Sequence, residues 1–324
     1  MDKVNTLLRF YKKNSISPVR QNVNDLTTHF QRRNSLYQAL GIPPLAFSGN
    51  KVLEIGPGSG HNSLFVSSLK PDKYMLLEPN PTGIENINKL YSNHVDLKSY
   101  VKVEKLMLEE FSPQFEFDII LCEGLLRAFT SPADALDKMI SMLSPHGIIV
   151  VSTSDEVSVF PEMIRRFIIN LLSGKNMSDK EKLSKFLRLF HSHLDSLSGM
   201  SRKYEDWFWD NMLNPSFVED NFSIPDLISH LDGKYPILGL CPNFYFDWRW
   251  YKQRVGKGRI VNELILNSYW QNLHNFIDYE NVYKRRDADI NRELYNYCKK
   301  FKEQVRHYEQ TFESSHLNIC KNYL

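Results

Sequence analysis

The feature that most constrains this 324-residue chain is a short apolar strand that runs directly into closely spaced glycines. The stretch reads Val52-Leu-Glu-Ile-Gly-Pro-Gly-Ser-Gly60, and a helix is predicted directly after it, from Asn62 to Leu69. Glycines let the backbone turn sharply and approach a ligand without side-chain interference. Glu78 ends a second predicted strand and can accept hydrogen bonds from ribose hydroxyls. The pattern therefore predicts a nucleotide-type ligand at the carboxyl edge of a parallel sheet.

Strands and helices alternate through the first half of the chain, which predicts a parallel sheet with helices on both faces. The predicted strands are 51–55, 74–77, 101–104, 117–122 and 148–152, and two more at 235–240 and 244–251 are expected to complete the sheet. The aromatic residues of 244–251 are interpreted mainly as sheet packing. The predicted domains are an N-terminal helical lead-in at 1–47, a cofactor-binding core at 48–155, a helical insertion at 156–222, the last helix and strands of the core at 223–255, and a helical C-terminal extension at 256–324.

Two cofactors suit a glycine loop of this kind, a nicotinamide dinucleotide and S-adenosylmethionine. Dinucleotide loops follow G-x-G-x-x-G and place a pyrophosphate on the helix N-terminus. Here the spacing is G-x-G-x-G, and Glu54 stands two residues before the first glycine. A carboxylate there would repel a pyrophosphate but suits the amino group and sulfonium of S-adenosylmethionine. The loop therefore favours the cationic cofactor.

The motifs together resemble the class I S-adenosylmethionine-dependent methyltransferase family. The stretches that carry the resemblance are Val52–Gly60, Glu78, Phe117–Glu123 and Leu143–Val151. The resemblance implies an α/β, Rossmann-like sheet of seven strands with the last antiparallel. It implies that the methionine end of the cofactor lies against the glycine loop, the ribose on the acid after strand two and the adenine beside 105–110. The residues implied to bind the cofactor are Glu54, Gly56, Pro57, Gly58, Gly60, Glu78, Pro79, Leu108, Glu109 and Glu123.

Two further groups are candidates for catalysis and for acceptor binding. Glu123 follows the fourth strand and can act as a general base, orient the acceptor or belong to the cofactor shell. The predicted insertion, expected to lie over the carboxyl edge as a lid, holds an aromatic and acidic stretch of the kind that stacks on sugars. Its candidates are Tyr204, Trp207, Asp210 and Asn211. Anchoring of the insertion to the core explains the two tryptophans of this stretch equally well.

Composition excludes several classes of protein. No apolar run approaches the roughly 20 residues of a membrane-spanning helix, and no secretory signal opens the chain. The four cysteines form no C-x-x-C pair, and His191 and His193 point to different faces of a helix, so no metal site is predicted. These features predict a cytoplasmic protein. The apolar stripe from Ile290 to Phe312 predicts packing on the chain's own core, with a homodimer through the C-terminal helices as the alternative.

Three functions remain open. The leading hypothesis is a methyltransferase acting on oxygen or nitrogen of a small or medium polar acceptor, including sugar-containing molecules. The second is a methyltransferase for RNA or protein, whose basic ends would grip an anionic partner: residues 1–47 carry seven Lys and Arg against two Asp and Glu. Against RNA, no RNA-binding module is recognisable and the middle of the chain is acidic. The third is a non-catalytic protein that binds the cofactor and a partner.

Overall fold

A single parallel sheet organises the first half of the chain. The computed structural model describes residues 3–254 and 258–323. The strands are β1 (Lys51–Ile55), β2 (Lys73–Leu77), β3 (Val101–Glu104), β4 (Phe117–Cys122) and β5 (Leu143–Val151). Their order is β3-β2-β1-β4-β5, and all neighbours are parallel. Along the chain, the strands progress from β1 to β3 in one direction across the sheet and from β4 to β5 in the other. The switch point therefore lies between the neighbouring strands β1 and β4, where such sheets bind ligands.

The central strands form because their side chains are apolar on both faces. Val52, Leu53 and Ile55 of β1 are buried, and Val52 lies opposite Tyr74 of β2 and Ile119 of β4. A strand covered on both faces by helices reads as a continuous apolar run, as predicted. This arrangement confirms an α/β, Rossmann-like sheet.

Thirteen α-helices lie within the described residues. They are α1 (Lys3–Asn14), α2 (Leu26–Ala39), α3 (Ser63–Ser68), α4 (Pro81–Ser92), α5 (Val95–Lys98), α6 (Pro132–Ile140), α7 (Phe160–Ser173), α8 (Asp179–Asp195), α9 (Tyr204–Trp207), α10 (Ile224–Leu231), α11 (Gly258–Asn272), α12 (Ala288–Thr311) and α13 (Ser314–Asn322). Local sequence determines several of their starts: Asn80 accepts a hydrogen bond from the Thr82 N–H at the start of α4. Ser131 caps α6 in the same way, and proline begins both helices.

The prediction of seven strands with an antiparallel last strand is wrong. The sheet has five strands, and the described part of 232–254 contains no strand. Side chains bond the backbone there instead of a neighbouring strand. Asn262 donates to the Tyr235 carbonyl and accepts from the Ile237 N–H, and Ser268 Oγ donates to the Phe244 carbonyl. Because these groups already have partners, the predicted strands have no ladder to join.

The chain divides into two compact units. The first comprises the described residues of Met1–Tyr37, Ile42–Ser152 and Ser178–Phe217, and so contains the whole sheet. The second comprises those of Gln38–Gly41, Thr153–Met177 and Val218–Leu324. The predicted insertion, residues 156–222, is thus divided between the two units. The predicted domain boundary at 255/256 lies outside the described residues.

The second unit packs the C-terminal helices on the chain's own α7. In α12, Phe301 and Val305 are fully buried, and Phe167 of α7 contacts Phe301 with ring centroids 6.1 Å apart. Lys302 forms a buried ion pair with Glu156, 3.1 Å between Nζ and Oε2. The predicted stripe therefore buries its middle within this unit, and a homodimer through these helices stays a prediction.

Among the residues that the structure describes, none of the helices combines the length and the apolar character needed to span a bilayer.

Candidate functional site

The carboxyl ends of β1, β2 and β4 bring three predicted site elements to one edge of the sheet. The glycine loop follows β1, Glu78 follows β2 and Glu123 follows β4. The Gly56 N–H donates to the Leu77 carbonyl at 2.9 Å, which ties the loop to the end of β2. These elements therefore meet at the switch point of the sheet, at the carboxyl edge where the sequence predicts a ligand.

The glycine loop needs glycine for both conformational and steric reasons. Gly56 and Gly58 have φ of 68° and 61°, the left-handed region that other residues rarely adopt. A Cβ on Gly56 would lie 2.6 Å from Leu125 Cδ2, and one on Gly58 would overlap Val19 Cγ2. Leu125 and Val19 therefore pack against the loop where a Cβ of residue 56 or 58 would lie.

Glu78 lies beneath this loop with its carboxylate held by backbone donors. Its Oε2 accepts from the Gly58 N–H and its Oε1 from the Asn80 N–H, both at 2.8 Å. The residue is only 5% exposed. Burial raises the pKa of Glu78 from its ordinary 4.5 to about 7, and the two backbone donors oppose that shift.

The Glu78 carboxylate fits the predicted cofactor. A carboxylate has about four acceptor positions, and the two N–H donors fill two of them. The remaining positions suit the two hydroxyl donors of a ribose.

Glu54 makes its observed contact away from the loop. Its carboxylate, buried within the core, accepts a hydrogen bond from the Tyr74 hydroxyl. Burial is the main cause that raises the pKa of Glu54. Direct contact of Glu54 with the cofactor stays a prediction.

Glu123 belongs to a network that the sequence did not reveal. Its Oε1 accepts from Arg33 Nη2 at 2.7 Å and from the Tyr37 hydroxyl at 2.9 Å. Arg33 and Tyr37 lie four residues apart on α2 and so share one face of that helix. The four-residue spacing of Arg33 and Tyr37 was the available sequence signal, although nothing in the local sequence shows that this face of α2 meets the end of β4. The network fixes the Glu123 carboxylate, and its catalytic role stays a prediction.

An extended N-terminal segment, the strap (residues 16–22), crosses the glycine loop. Ser59 Oγ donates to the Ser17 carbonyl at 3.1 Å, and Asn80 Nδ2 donates to the Ile16 carbonyl at 2.9 Å. Val19 of the strap is the side chain that lies against Gly58. One end of the strap is therefore bonded directly to the predicted cofactor loop.

The other end of the strap is bonded to the aromatic and acidic stretch. Arg20 forms a bidentate ion pair with Asp206, with distances of 2.9 and 2.6 Å. Arg202 Nη2 donates to the Pro18 carbonyl, and the Asn22 N–H donates to the Ser201 carbonyl. The strap thus connects the glycine loop to residues 201–206 within the first unit.

The four predicted acceptor residues lie on one helical stretch, and most of their polar groups already have partners. Trp207 is 8% exposed, and its carbonyl accepts from Asn211 Nδ2. Asp210 accepts from the Tyr11 hydroxyl at 2.6 Å and from Arg202 at 3.0 Å. Tyr204, the fourth, donates its hydroxyl to Asp195. Their acceptor role stays a prediction.

The predicted adenine segment forms a short 3₁₀ turn after β3. Leu108 is buried in this turn, and Glu110 accepts from the Met107 N–H at 2.9 Å. Glu109 is exposed on the same turn, and Pro79 stands directly after Glu78. The adenine contacts of these residues stay predictions. No set of three or more His, Cys, Asp or Glu side chains in the described ranges is arranged to hold a metal ion.

Comparison with known proteins identifies the same part of the chain. A family model described as "Methyltransferase domain" matches residues 28–207, more than half of the chain. A tRNA U34 carboxymethyltransferase of Syntrophotalea carbinolica (strain DSM 2380 / NBRC 103641 / GraBd1) is 29% identical over 139 residues. That match covers 41% of this chain and 41% of the relative, so the chain spans less than half of the relative's length.

Two solved structures are also similar. PKMT2 from Rickettsia typhi is 18% identical, with 71% of this chain and 51% of that chain covered at a TM-score of 0.45. The N-methyltransferase NodS from Bradyrhizobium japonicum WM9, in complex with S-adenosyl-L-homocysteine, is 17% identical, with 47% and 74% covered at a TM-score of 0.36.

Proposed function

This chain belongs to the methyltransferase-domain family, and we propose that it transfers a methyl group from S-adenosylmethionine to an oxygen or nitrogen atom of a polar acceptor. Family membership confirms the prediction that the chain contains an S-adenosylmethionine-dependent methyltransferase domain with that cofactor. The observation that carries the proposed activity is the buried Glu78 carboxylate bonded to the glycine loop at the switch point of the sheet.

The residues proposed to hold the cofactor are those at the carboxyl edge. Glu78 would accept from the ribose hydroxyls, and the loop at Gly56 and Gly58 would lie against the methionine portion. The cofactor, when bound, supplies a methyl group on a sulfonium that a lone pair of the acceptor can attack. In its ionised form, Glu54 would give the loop a negative potential suited to that cation.

The other residues of the edge act by positioning and by excluding water. The strap covers the loop through Val19, which would limit access of water to the reacting atoms. Glu123, fixed by Arg33 and Tyr37, would orient the acceptor or accept its proton. Holding two reactants in line contributes on the order of 7–11 kcal/mol to such a reaction.

The first candidate acceptor is a small or medium polar molecule, including a sugar-containing one. Its support is the mix of aromatic and polar side chains at Tyr204–Asn211, on the stretch that the strap connects to the glycine loop. A hydroxyl acceptor would use a base such as Glu123, whereas a neutral amine needs only a free lone pair.

The second candidate acceptor is RNA, and one observation favours it specifically. The curated relative that matches this chain is, by its name, a tRNA-modifying transferase. The chain also exposes aromatic side chains of 244–251, a stretch whose aromatic residues were predicted mainly to pack in the sheet, and Lys252 and Arg254 are exposed beside them. A protein acceptor, or a non-catalytic role with a partner, is the remaining alternative.

A cytoplasmic location is part of the proposal. All four cysteines fall within the described residues and none forms a disulfide. Free thiols are typical of a reducing compartment.

A labelled-cofactor assay tests the proposed activity. The chain is incubated with S-adenosylmethionine carrying a labelled methyl group and with separate small-molecule, RNA and protein fractions, and products are searched for a gain of about 14 Da. We expect one fraction to gain the label with the wild-type chain and to lose most of it with Glu78→Ala. Glu85→Ala, an exposed acid on α4, is the matched control. Cofactor binding without transfer to any fraction would favour the non-catalytic alternative.

A further inference from the structure

Three aromatic side chains project into solvent from one extended segment of the second unit. Phe246, Trp248 and Trp250 are 62%, 94% and 64% exposed, whereas the intervening Asp247 and Arg249 are half-buried. This alternation places every second residue on one face of the segment. We call these three residues the aromatic ladder.

The segment is held in this orientation by an ion-pair network on its other face and by contacts at its start. Asp247 accepts from Arg249 Nη2 at 2.8 Å and from Arg254 Nε at 3.1 Å. Phe244 packs on Phe276, with ring centroids 5.4 Å apart, and Ser268 Oγ donates to the Phe244 carbonyl. The exposure of the ladder is therefore imposed by a network on the opposite face.

Charge around the ladder is strongly positive. Residues 244–259 contain five Lys and Arg and one acid. That acid, Asp247, is shared between Arg249 and Arg254, and Arg259 pairs with Asp232. Lys252 and Arg254 are exposed at the end of the segment. An anionic partner complements this surface.

A second aromatic and basic segment is anchored on the same helical stretch. Tyr283 is exposed and is followed by three exposed cations at 284–286. The Tyr283 N–H donates to Asn275 Oδ1 at 2.7 Å, and the Arg286 N–H donates to the Gln271 carbonyl at 3.0 Å. Two acids, Asp278 and Glu280, precede Tyr283 in this segment. Both aromatic segments, the one with the ladder and the one with Tyr283, are thus fixed to residues 268–276. The cations that follow each aromatic segment are therefore anchored on the same helical stretch.

Flat apolar rings interleaved with cations match the chemistry of nucleobases joined by phosphates. Alternate residues of an extended segment lie about 6.4–6.8 Å apart, roughly twice the 3.4 Å per nucleotide of a stacked strand. Rings at that spacing can receive unstacked bases of an extended strand but not the closed stack of a duplex. We propose that the aromatic ladder and its neighbouring cations bind single-stranded RNA; the choice of RNA over DNA rests on the second candidate of the proposed function.

Fluorescence polarisation with the full chain tests this proposal. The probes are a labelled 12-nucleotide single-stranded RNA, its DNA equivalent and the RNA duplex, each at several salt concentrations. We expect preferential binding of the single-stranded RNA, weakening steeply with salt. Trp248→Ala should weaken binding about 5- to 150-fold, which corresponds to the ~1–3 kcal/mol of one base–aromatic stack. Lys252→Gln should lower the salt slope by about 0.7.

The matched control is Leu45→Ala, an exposed apolar residue of the first unit, and it should bind as the wild-type chain does. Trp248 is almost fully exposed, so its variant is expected to fold. The proposal is overturned if Trp248→Ala binds RNA normally, or if the duplex or the DNA binds equally well. It is also overturned if the ladder instead binds anionic vesicles, or if the free chain forms a dimer that Trp248→Ala dissociates. If the chain binds RNA but transfers no methyl group to it, only RNA as the acceptor in the proposed function is refuted. Failure of the proposed function and failure of RNA binding by the ladder are therefore distinguishable.

Discussion

The raised pKa of Glu78 predicts that cofactor affinity depends on pH near neutrality. Ribose hydroxyls donate to the ionised carboxylate, so only that form binds the cofactor fully. With a pKa of about 7, roughly one tenth of Glu78 is ionised at pH 6 and about nine tenths at pH 8. We therefore expect affinity for S-adenosylmethionine to fall about tenfold, or ~1.4 kcal/mol, between pH 8 and pH 6. An ordinary glutamate, with a pKa of 4.5, would change little over that range.

Titration calorimetry at pH 6, 7 and 8 measures this dependence. Glu78→Gln keeps the shape of the side chain but does not titrate, so its pH profile isolates any titration of the ligand itself. Glu85→Gln should behave as the wild-type chain does. If the wild-type and Glu78→Gln profiles are parallel, Glu78 does not bind the ribose in its ionised form and the assignment of this edge is wrong.

The same shift links folding stability to pH with a definite sign. Because the pKa of Glu78 is higher in the folded chain, the folded state binds more protons than the unfolded state between about pH 4.5 and 7. The contribution of Glu78 to the free energy of unfolding therefore decreases as pH rises through that window. Urea unfolding of the free chain at pH 8 should show Glu78→Gln to be more stable than the wild type. If Glu78→Gln and the wild type are equally stable at pH 8, other interactions in the folded chain offset the free-energy cost of desolvating Glu78.

Four further substitutions separate the roles of the site residues. Gly58→Ala places a Cβ on a left-handed backbone, where it overlaps Val19. Thermal unfolding should therefore show that the free energy of unfolding falls by at least about 1–2 kcal/mol. Unchanged stability would contradict the loop geometry. Glu123→Gln should lower kcat with little change in cofactor affinity if the carboxylate orients or deprotonates the acceptor, whereas Arg33→Met, which removes its partner, should lower stability as well. Trp207→Ala should cost about 3–5 kcal/mol of unfolding free energy because the side chain is buried; a stable variant with a raised acceptor KM would instead favour the acceptor site.

The sheet could be predicted because its signals are local. The apolar runs of β1, β3 and β4 begin and end at the predicted residues. β5 begins earlier than predicted, at Leu143, because that residue pairs with Phe117 before the register shifts. The positive φ of His146 and the register shift show why the sequence at 144–147 lacks a strand pattern.

The two additional strands were predicted wrongly because alternation alone does not reveal the partner of an extended segment. Residues 244–250 alternate as a half-buried strand does, yet their exposed face is the aromatic one. In an antiparallel edge strand the aromatic face would be turned to the core. Here Asp247 and Arg249 occupy the inner face. Such a polar network depends on which acids and bases meet, a property that the hydrophobic pattern does not encode.

The same distinction explains why the reaction class could be predicted and the acceptor could not. The loop and Glu78 lie 20 residues apart and are joined by neighbouring parallel strands, so one motif determines the cofactor half of the site. The other half depends on contacts between distant residues: Arg20 meets Asp206 across 186 positions, and Arg33 meets Glu123 across 90. Each of these pairs consists of ordinary surface residue types that become specific only when the strap and α2 fold against the edge. Acceptor specificity is therefore expected to vary with the strap and residues 201–211, while the cofactor half remains as its motif requires.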